Sequence, residues 1–458
     1  MLRNLGSALL LSALLTGGCS SIGKIHNPAI SQLPEGEQRY SSYHYLKNRG
    51  VGDTLVILAF SGGGTRAAAL SYGVLEELRD TRYKKDGKEQ RLLDEVDIIS
   101  SVSGGSFTSA YYGLFGDQIF DDFKDVFLYK DVQGELSSLV LGFFDLIARL
   151  FTSVSRTEVA IDYYDKNIFR GKTFADMQAA KGPFILINAS DLNSQSQFVF
   201  IQPQFDFLCS NLSEFKVARA VAASSAVPVL FPPILIERHD DCHYQTPEWL
   251  KRAEHNAIRD NDQRTQEAVA ALKFYLDKEN PPYVTLLDGG ITDNLGLRTV
   301  LRSVSLSGGV QNMYRRAKRQ RPVSRLVVVV VNASTTTDTH IGEGNVLPSI
   351  GDILTAVTDI QLHLYNTETN ELLKQELISW ADTLSTPEYP VTSYFIDLDV
   401  TDIKDKEERM FFNKIPTSFS LEKSQADTLI KTARRLMRQN PQYRKLLKDM
   451  GGALPEKL

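Results

Sequence analysis

Three short stretches, far apart in a chain of 458 residues, hold the residue types that acyl chemistry requires. Ser103 lies in Ser101-Val102-Ser103-Gly104-Gly105, Asp288 opens Asp288-Gly289-Gly290, and Ser61-Gly62-Gly63-Gly64-Thr65-Arg66 is a glycine run closed by a cation. A serine hydroxyl is a weak nucleophile near neutral pH. It needs exposure on a tight turn, a base to take its proton, and donors for the oxyanion that forms. Ser101 to Gly105 fits the G-x-S-x-G elbow, with Ser101 at the first glycine position. Consecutive glycines that open a helix aim free N–H groups at one anion, helped by the helix dipole. Gly62, Gly63 and Gly64, with Gly104, are therefore the candidate oxyanion hole. Asp288 stands clear of bulky neighbours and could act as base on Ser103 directly. Arg66 would either hold its loop or meet a substrate phosphate.

Rival readings use the same residues. Gly62, Gly64 and Ala67 also spell the dinucleotide fingerprint, which needs an acid at the end of the next strand. That strand ends instead in Ser100-Ser101-Val102-Ser103. A Ser-His-Asp triad would need one of His26, His44, His239, His243, His255, His340 and His363. None sits at an apolar strand end beside glycines, and only His340, after a valine-rich strand, has the position typical of α/β-hydrolases. The cluster His239-Asp240-Asp241-Cys242-His243 invites a metal, but the second ligand pair of a zinc site is missing. Neither metal nor cofactor is expected. Cys242 is instead the natural disulfide partner of Cys209, a bond that stabilises by about 3–4 kcal/mol when unstrained.

The elements that must position these groups alternate regularly. Apolar strands are predicted at 54–60, 96–100, 184–189, 198–201, 283–287 and 326–331, with striped helices at 67–79 and 107–115. This is an α/β pattern, a three-layer, mainly parallel sheet with helices on both faces. All three motifs leave the carboxyl ends of strands, where such sheets gather their active sites. Helical insertions interrupt at about 118–180 and 245–280. The first holds Leu139 to Phe151, apolar nearly all round, which reads as an acyl-pocket wall, a membrane-facing lid or a buried helix. A long amphipathic helix at 350–377, a strand at 394–398 and a helix at 421–438 follow. The basic face of the last one (Lys431, Arg434, Arg435, Arg438) reads as a solvated surface, with anionic lipid as the alternative.

Composition is that of a globular protein with a sizeable core: 42% hydrophobic, 23% charged, net charge −5. No long basic block exists, which argues against a nucleic-acid partner. Residues 1–18 read as a signal peptide, with Arg3, an apolar Ala8 to Leu15, and Thr16-Gly17-Gly18 before Cys19. The whole resembles a bacterial lipoprotein signal. That resemblance implies lipidation of Cys19, a linker over 19–50, and, with Ser20 and Ser21, retention at the outer membrane of a Gram-negative cell, facing the periplasm. A plain secretory signal is the alternative. The body would then comprise a catalytic domain at 51–340 and a C-terminal α/β extension at 341–458. No signal for an oligomeric state is visible.

Taken as a set, in order and spacing, the glycine loop, the Ser103 elbow and Asp288-Gly289-Gly290 resemble the patatin-like phospholipases. Ala222-Ala223-Ser224-Ser225-Ala226-Val227-Pro228 and Asp293-Asn294-Leu295-Gly296 match as well, and the likeness runs from about Leu55 to Val300. The resemblance implies a Ser103–Asp288 dyad without histidine, oxyanion donors at Gly62 to Gly64, and hydrolysis of (phospho)lipid acyl esters without metal. An acyltransferase with the same dyad and a non-catalytic lipid-binding lipoprotein remain as alternatives.

Overall fold

A computed structural model describes residues 23–36, 39–49, 52–141, 156–228, 230–316, 323–335, 345 and 347–456. The signal segment, Cys19, His340 and most of the apolar run Leu139 to Phe151 lie outside the described residues. The strands are β1 (Thr54–Phe60), β2 (Arg82–Lys85), β3 (Lys88–Arg91), β4 (Val96–Val102), β5 (Phe184–Asp191), β6 (Ser196–Val199), β7 (Ile234–Glu237), β8 (Tyr283–Asp288), β9 (Arg325–Asn332) and β10 (Thr392–Asp399). Strands β2 and β3 form a separate hairpin, closed by Asp86-Gly87 with φ of 51° and 76°. A two-residue hairpin turn of that kind needs positive φ at both positions, which Asp-Gly tolerates.

The remaining strands make one sheet in the order β10-β9-β1-β4-β5-β8-β7, with β6 paired to β5. From β10 to β5 every pairing is parallel. The inner strands are buried almost throughout, which is why they read as unbroken apolar runs, whereas the edge strand β10 alternates. The helices that matter for the site are α1 (Gly64–Asp80), α2 (Gly104–Phe115), α3 (Val217–Ser224), α4 (Glu248–Arg259), α5 (Gln263–Phe274), α6 (Arg298–Leu306), α7 (Ile350–Leu384), α8 (Lys423–Gln439) and α9 (Pro441–Asp449). The 245–280 insertion is thus two helices rather than one. The last predicted helix is α8, and α9 follows it as a further helix, because Pro441 cannot continue α8 and Asn440 caps α9 by accepting from the amides of Gln442 and Tyr443.

One strand runs against expectation. β8 is antiparallel to β5, yet its end still reaches the motif edge. It overlaps only the last residues of β5, with Ala189 opposite Asp288 and Asp191 opposite Leu286. It therefore enters from beyond the carboxyl edge and stops just inside it.

The C-terminal region is built into the body. β10 extends the sheet beside β9, and α8 lies on α1 so closely that a Cβ at Gly73 would sit 2.5 Å from the Ile430 carbonyl oxygen. Arg434 pairs with Glu77 (3.2 Å), Asp80 (2.7 Å) and Glu76 (3.5 Å), Arg438 with Glu77 (2.7 Å), and Arg435 with Glu408 (2.5 Å). These arginines are thus neither a solvated face nor a lipid contact: they neutralise the carboxylates of α1 and of the 406–413 helix, and Lys431 alone of the four is exposed. Cys209 and Cys242 are disulfide-bonded, their Cα atoms 5.4 Å apart. Among the described residues no three His, Cys, Asp or Glu side chains are placed to hold a metal ion, and no helix is long and apolar enough to cross a membrane.

Candidate active site

β1, β4 and β9 end level with one another, Phe60 lying opposite both Ser101 and Val331. Ser103 follows β4 at φ 49°, ψ −120°, a conformation an L-residue adopts only under constraint, and α2 starts directly after it. The constraint comes from backbone on both sides. A Cβ at Gly104 would lie 1.9 Å from the Gly64 carbonyl oxygen, and one at Gly105 would lie 2.7 Å from Phe60. Gly63 and Gly64 turn at φ of 136° and 61°, and a Cβ at Gly64 would meet the Ser418 carbonyl oxygen at 2.4 Å. Here glycine is required, because two loops share the volume a side chain would fill.

Ser101, at the elbow's first glycine position, is accommodated by hydrogen bonds. Its hydroxyl donates to the Leu186 carbonyl (3.2 Å) and accepts from Ser109 (2.6 Å) and Ser106 (3.2 Å). Behind the elbow, Ser224 at the end of α3 joins both halves of the site. Its hydroxyl accepts from the Ser103 amide (2.8 Å) and its carbonyl from the Gly289 amide (3.1 Å).

Asp288 ends β8, its amide donating to the Ala226 carbonyl (3.0 Å). Its carboxylate accepts from the Gly290 amide (2.8 Å), and the Ser103 hydroxyl lies close enough to it to favour its ionised form. Burial raises its pKa from the ordinary carboxylate range to about 6, against the opposing pull of those two groups. A carboxyl so poised is deprotonated near neutral pH yet basic enough to take a proton.

The glycine loop differs in one respect from the sequence reading. The Gly62 amide donates to the Asn294 carbonyl (3.0 Å) and is not a free oxyanion donor. The amides of Gly63, Gly64 and Gly104 have no acceptor among the described residues. Arg66 is buried, its guanidinium donating to the carbonyls of Ala333 (2.9 Å) and Ile415 and to the Thr417 hydroxyl (3.2 Å). Burial lowers its pKa to about 10. It fastens the loop to the C-terminal region while bordering the cavity.

Ser103 and Asp288 open into a cavity of about 2440 Å³, bordered by residues of α4, α5 and α6, the first half of α7 and the 413–417 turn. Its lining is more apolar than polar, as an acyl chain would require. His363 on α7 is the only histidine among the described lining residues, and the Asp288 carboxylate meets no imidazole there. Asn294 and Ser224 carry the site's geometry, yet sequence reasoning gave them no role. Their motifs follow a DGG turn and end a small-residue helix, and that placement was the available signal.

Fold and site define an α/β protein with a serine on a strand–helix elbow beside a buried carboxylate. The chain belongs to the patatin-like phospholipase family, whose model matches residues 58–301, just over half of its 458 residues. Lipid ester hydrolysis is the activity of that family. No curated protein matches the chain. Among solved structures it is similar to human GIVD cytosolic phospholipase A2, at 12% identity and a TM-score of 0.47, covering 94% of this chain and 66% of that one. The same enzyme in complex with the inhibitor methyl gamma-linolenyl fluorophosphonate and terbium chloride gives 13% identity and a TM-score of 0.43, with the same coverage. The chain thus spans just under two thirds of the length of these neighbours.

Proposed function

We propose that the protein is a lipid acyl hydrolase of the phospholipase A or lysophospholipase type, with Ser103 as nucleophile and Asp288 as its general base. One observation carries this reading: a constrained elbow serine lies beside a buried carboxylate whose pKa is held at about 6, and amides with no acceptor among the described residues lie alongside. As Ser103 Oγ attacks the ester carbonyl its proton passes to Asp288, and the amides of Gly63, Gly64 and Gly104 receive the oxyanion. Each well-aimed donor is worth about 3 kcal/mol in the transition state. The tetrahedral intermediate collapses with the alcohol leaving, and Asp288 returns the proton to it. Water then attacks the acyl-serine with Asp288 again as base, releasing a carboxylic acid and restoring the serine.

The N-terminal signal and Cys19 support placement on a lipid anchor in the bacterial envelope, at the periplasmic face of the outer membrane. Membrane phospholipid would then be the substrate at hand. The test is hydrolysis of a soluble nitrophenyl ester, together with fatty acid release from phospholipid, by wild type, Ser103→Ala and Asp288→Asn. Both variants should lose at least a thousandfold in kcat/KM. Wild-type rates in both would end the dyad reading.

A further inference from the structure

The long helix α7 changes character along its length. Its first half, residues 350–365, contains two carboxylates, Asp352 and Asp359, and no Lys or Arg. Within it Ile353, Val357, Ile360 and Leu364 recur at helical spacing on one face, 47%, 50%, 57% and 58% exposed. The same face then turns polar, with Thr367 and Glu371 exposed. The second half packs Leu373, Leu377 and Ala381 into the core. The apolar stripe is therefore a bounded patch about 16 Å long.

Its position is tied to the chemistry. Val357, Ile360 and Leu364 also border the cavity that holds Ser103 and Asp288, as does Ile291, itself half exposed and next to the Asp288-Gly289-Gly290 turn. The helix is fastened there. Asn366 and Asn294 both donate to the Ser334 hydroxyl, at 3.0 and 3.1 Å. Arg298 stacks on Tyr365 at 3.6 Å from the ring centroid and donates to the Thr369 hydroxyl. Single exposed apolar side chains are ordinary on a protein surface, but a stripe of four at the mouth of a site is not.

We propose that the face formed by Ile353, Val357, Ile360 and Leu364, with Ile291 beside the cavity, seats the protein on a neutral, zwitterionic phospholipid surface, so that an ester chain enters the Ser103 cavity directly from lipid. This rests on the hydrolase reading above. The occupant follows from the patch itself. A small dissolved ester needs only the cavity, whereas a lipid surface is extended enough to bury the whole exposed stripe at once. The stripe carries no Lys or Arg and has Asp359 beside it, and the exposed arginines of the cavity lining, Arg259 and Arg264, are paired with Asp260 and Glu376 (2.8 and 3.5 Å), which sets the surface against anionic lipid.

Two measurements on the full chain test this. Ile353→Ser, on the stripe but outside the cavity lining, should keep kcat/KM on a soluble nitrophenyl ester within twofold and lose at least threefold in fatty acid release from phosphatidylcholine vesicles, and the quadruple serine variant should lose at least tenfold more on vesicles than on the ester. Ile378→Ser, exposed on the same helix beyond the stripe, should change neither. Independently of turnover, a tryptophan placed by Ile360→Trp should be quenched by brominated phosphatidylcholine vesicles, and one placed by Ile378→Trp should not. Equal losses on both substrates would make the stripe part of the ester cavity and overturn the proposal. So would unchanged vesicle hydrolysis, quenching at both positions or at neither, or a wild-type dimer that the serine variant dissociates without loss on vesicles. A wild type inactive on both substrates would refute the hydrolase reading alone, since the quenching still reports docking.

Discussion

At the floor of the cavity, Ser103, Asp288 and the glycine loop are pressed between backbone segments of β1, β4, β8 and the 415–418 turn. On its outer wall, α4, α5 and the first half of α7 present side chains rather than backbone. On the floor, a single Cβ at Gly104 would sit 1.9 Å from another loop's carbonyl oxygen, while Val357, Ile360 and Leu364 on the wall are half exposed. The floor is specified by what cannot be added, the wall by what is offered to a partner. Chemistry demands sub-ångström placement of a few atoms, which close-packed backbone supplies. Binding a fluid, heterogeneous lipid demands only area of the right polarity.

Substitutions can break this contrast in order of severity. Loss of the Ser103 hydroxyl should be the largest effect, at least a thousandfold, with the fold intact by circular dichroism. Next, Gly104→Ala should cut soluble-ester turnover by about a hundredfold and lower Tm, because the Gly64 carbonyl cannot retreat without moving the oxyanion loop. Retained activity there would show the floor to be softer than the geometry implies. Asn294→Ala keeps the backbone carbonyl that holds Gly62 but removes the tie to Ser334, so about a tenfold loss in kcat/KM is expected, with KM nearly unchanged.

The pH dependence sharpens the same comparison. Because burial raises the Asp288 pKa to about 6, kcat/KM should climb with pH through that value, as the base must be ionised. Stability should move the other way. Between about pH 4 and pH 6 the folded chain keeps a proton that the unfolded chain has lost, so this group's contribution falls as pH rises through that window. Asp288→Asn should therefore be roughly 1–3 kcal/mol more stable than wild type at pH 8 while inactive, a gap that closes below pH 4 in denaturant titrations. The smallest effect belongs to the outer end of the stripe, where Ile353→Ser alone, outside the cavity lining, should leave soluble-ester kinetics within twofold.

Much of this was legible in the sequence, for identifiable reasons. Strands buried on both faces appear as apolar runs, and glycines at close approaches appear as glycines. The direction of β8 was not legible, since an apolar strand reads the same in either orientation. Nor was the fate of Arg434 and Arg438, whose partners on α1 lie more than three hundred residues away. The helix α7 itself was evident, but not one consistent apolar face: its first half exposes apolar side chains and its second half buries them, which helical periodicity cannot tell apart.

Sequence alone determined the chemical kit and its order along the chain: an elbow serine, a glycine loop, an aspartate before two glycines, and a sheet to carry them. Residue type suffices there, because only glycine fits where backbones touch and only certain groups attack, accept a proton or donate to an anion. Tertiary structure alone decided that the Gly62 amide is committed to Asn294, that Ser224 joins the two halves of the site, and that α7 turns an apolar stripe outward at the cavity mouth. Those outcomes depend on which distant atoms arrive within hydrogen-bonding or van der Waals range, a property of the packed chain that no local pattern encodes.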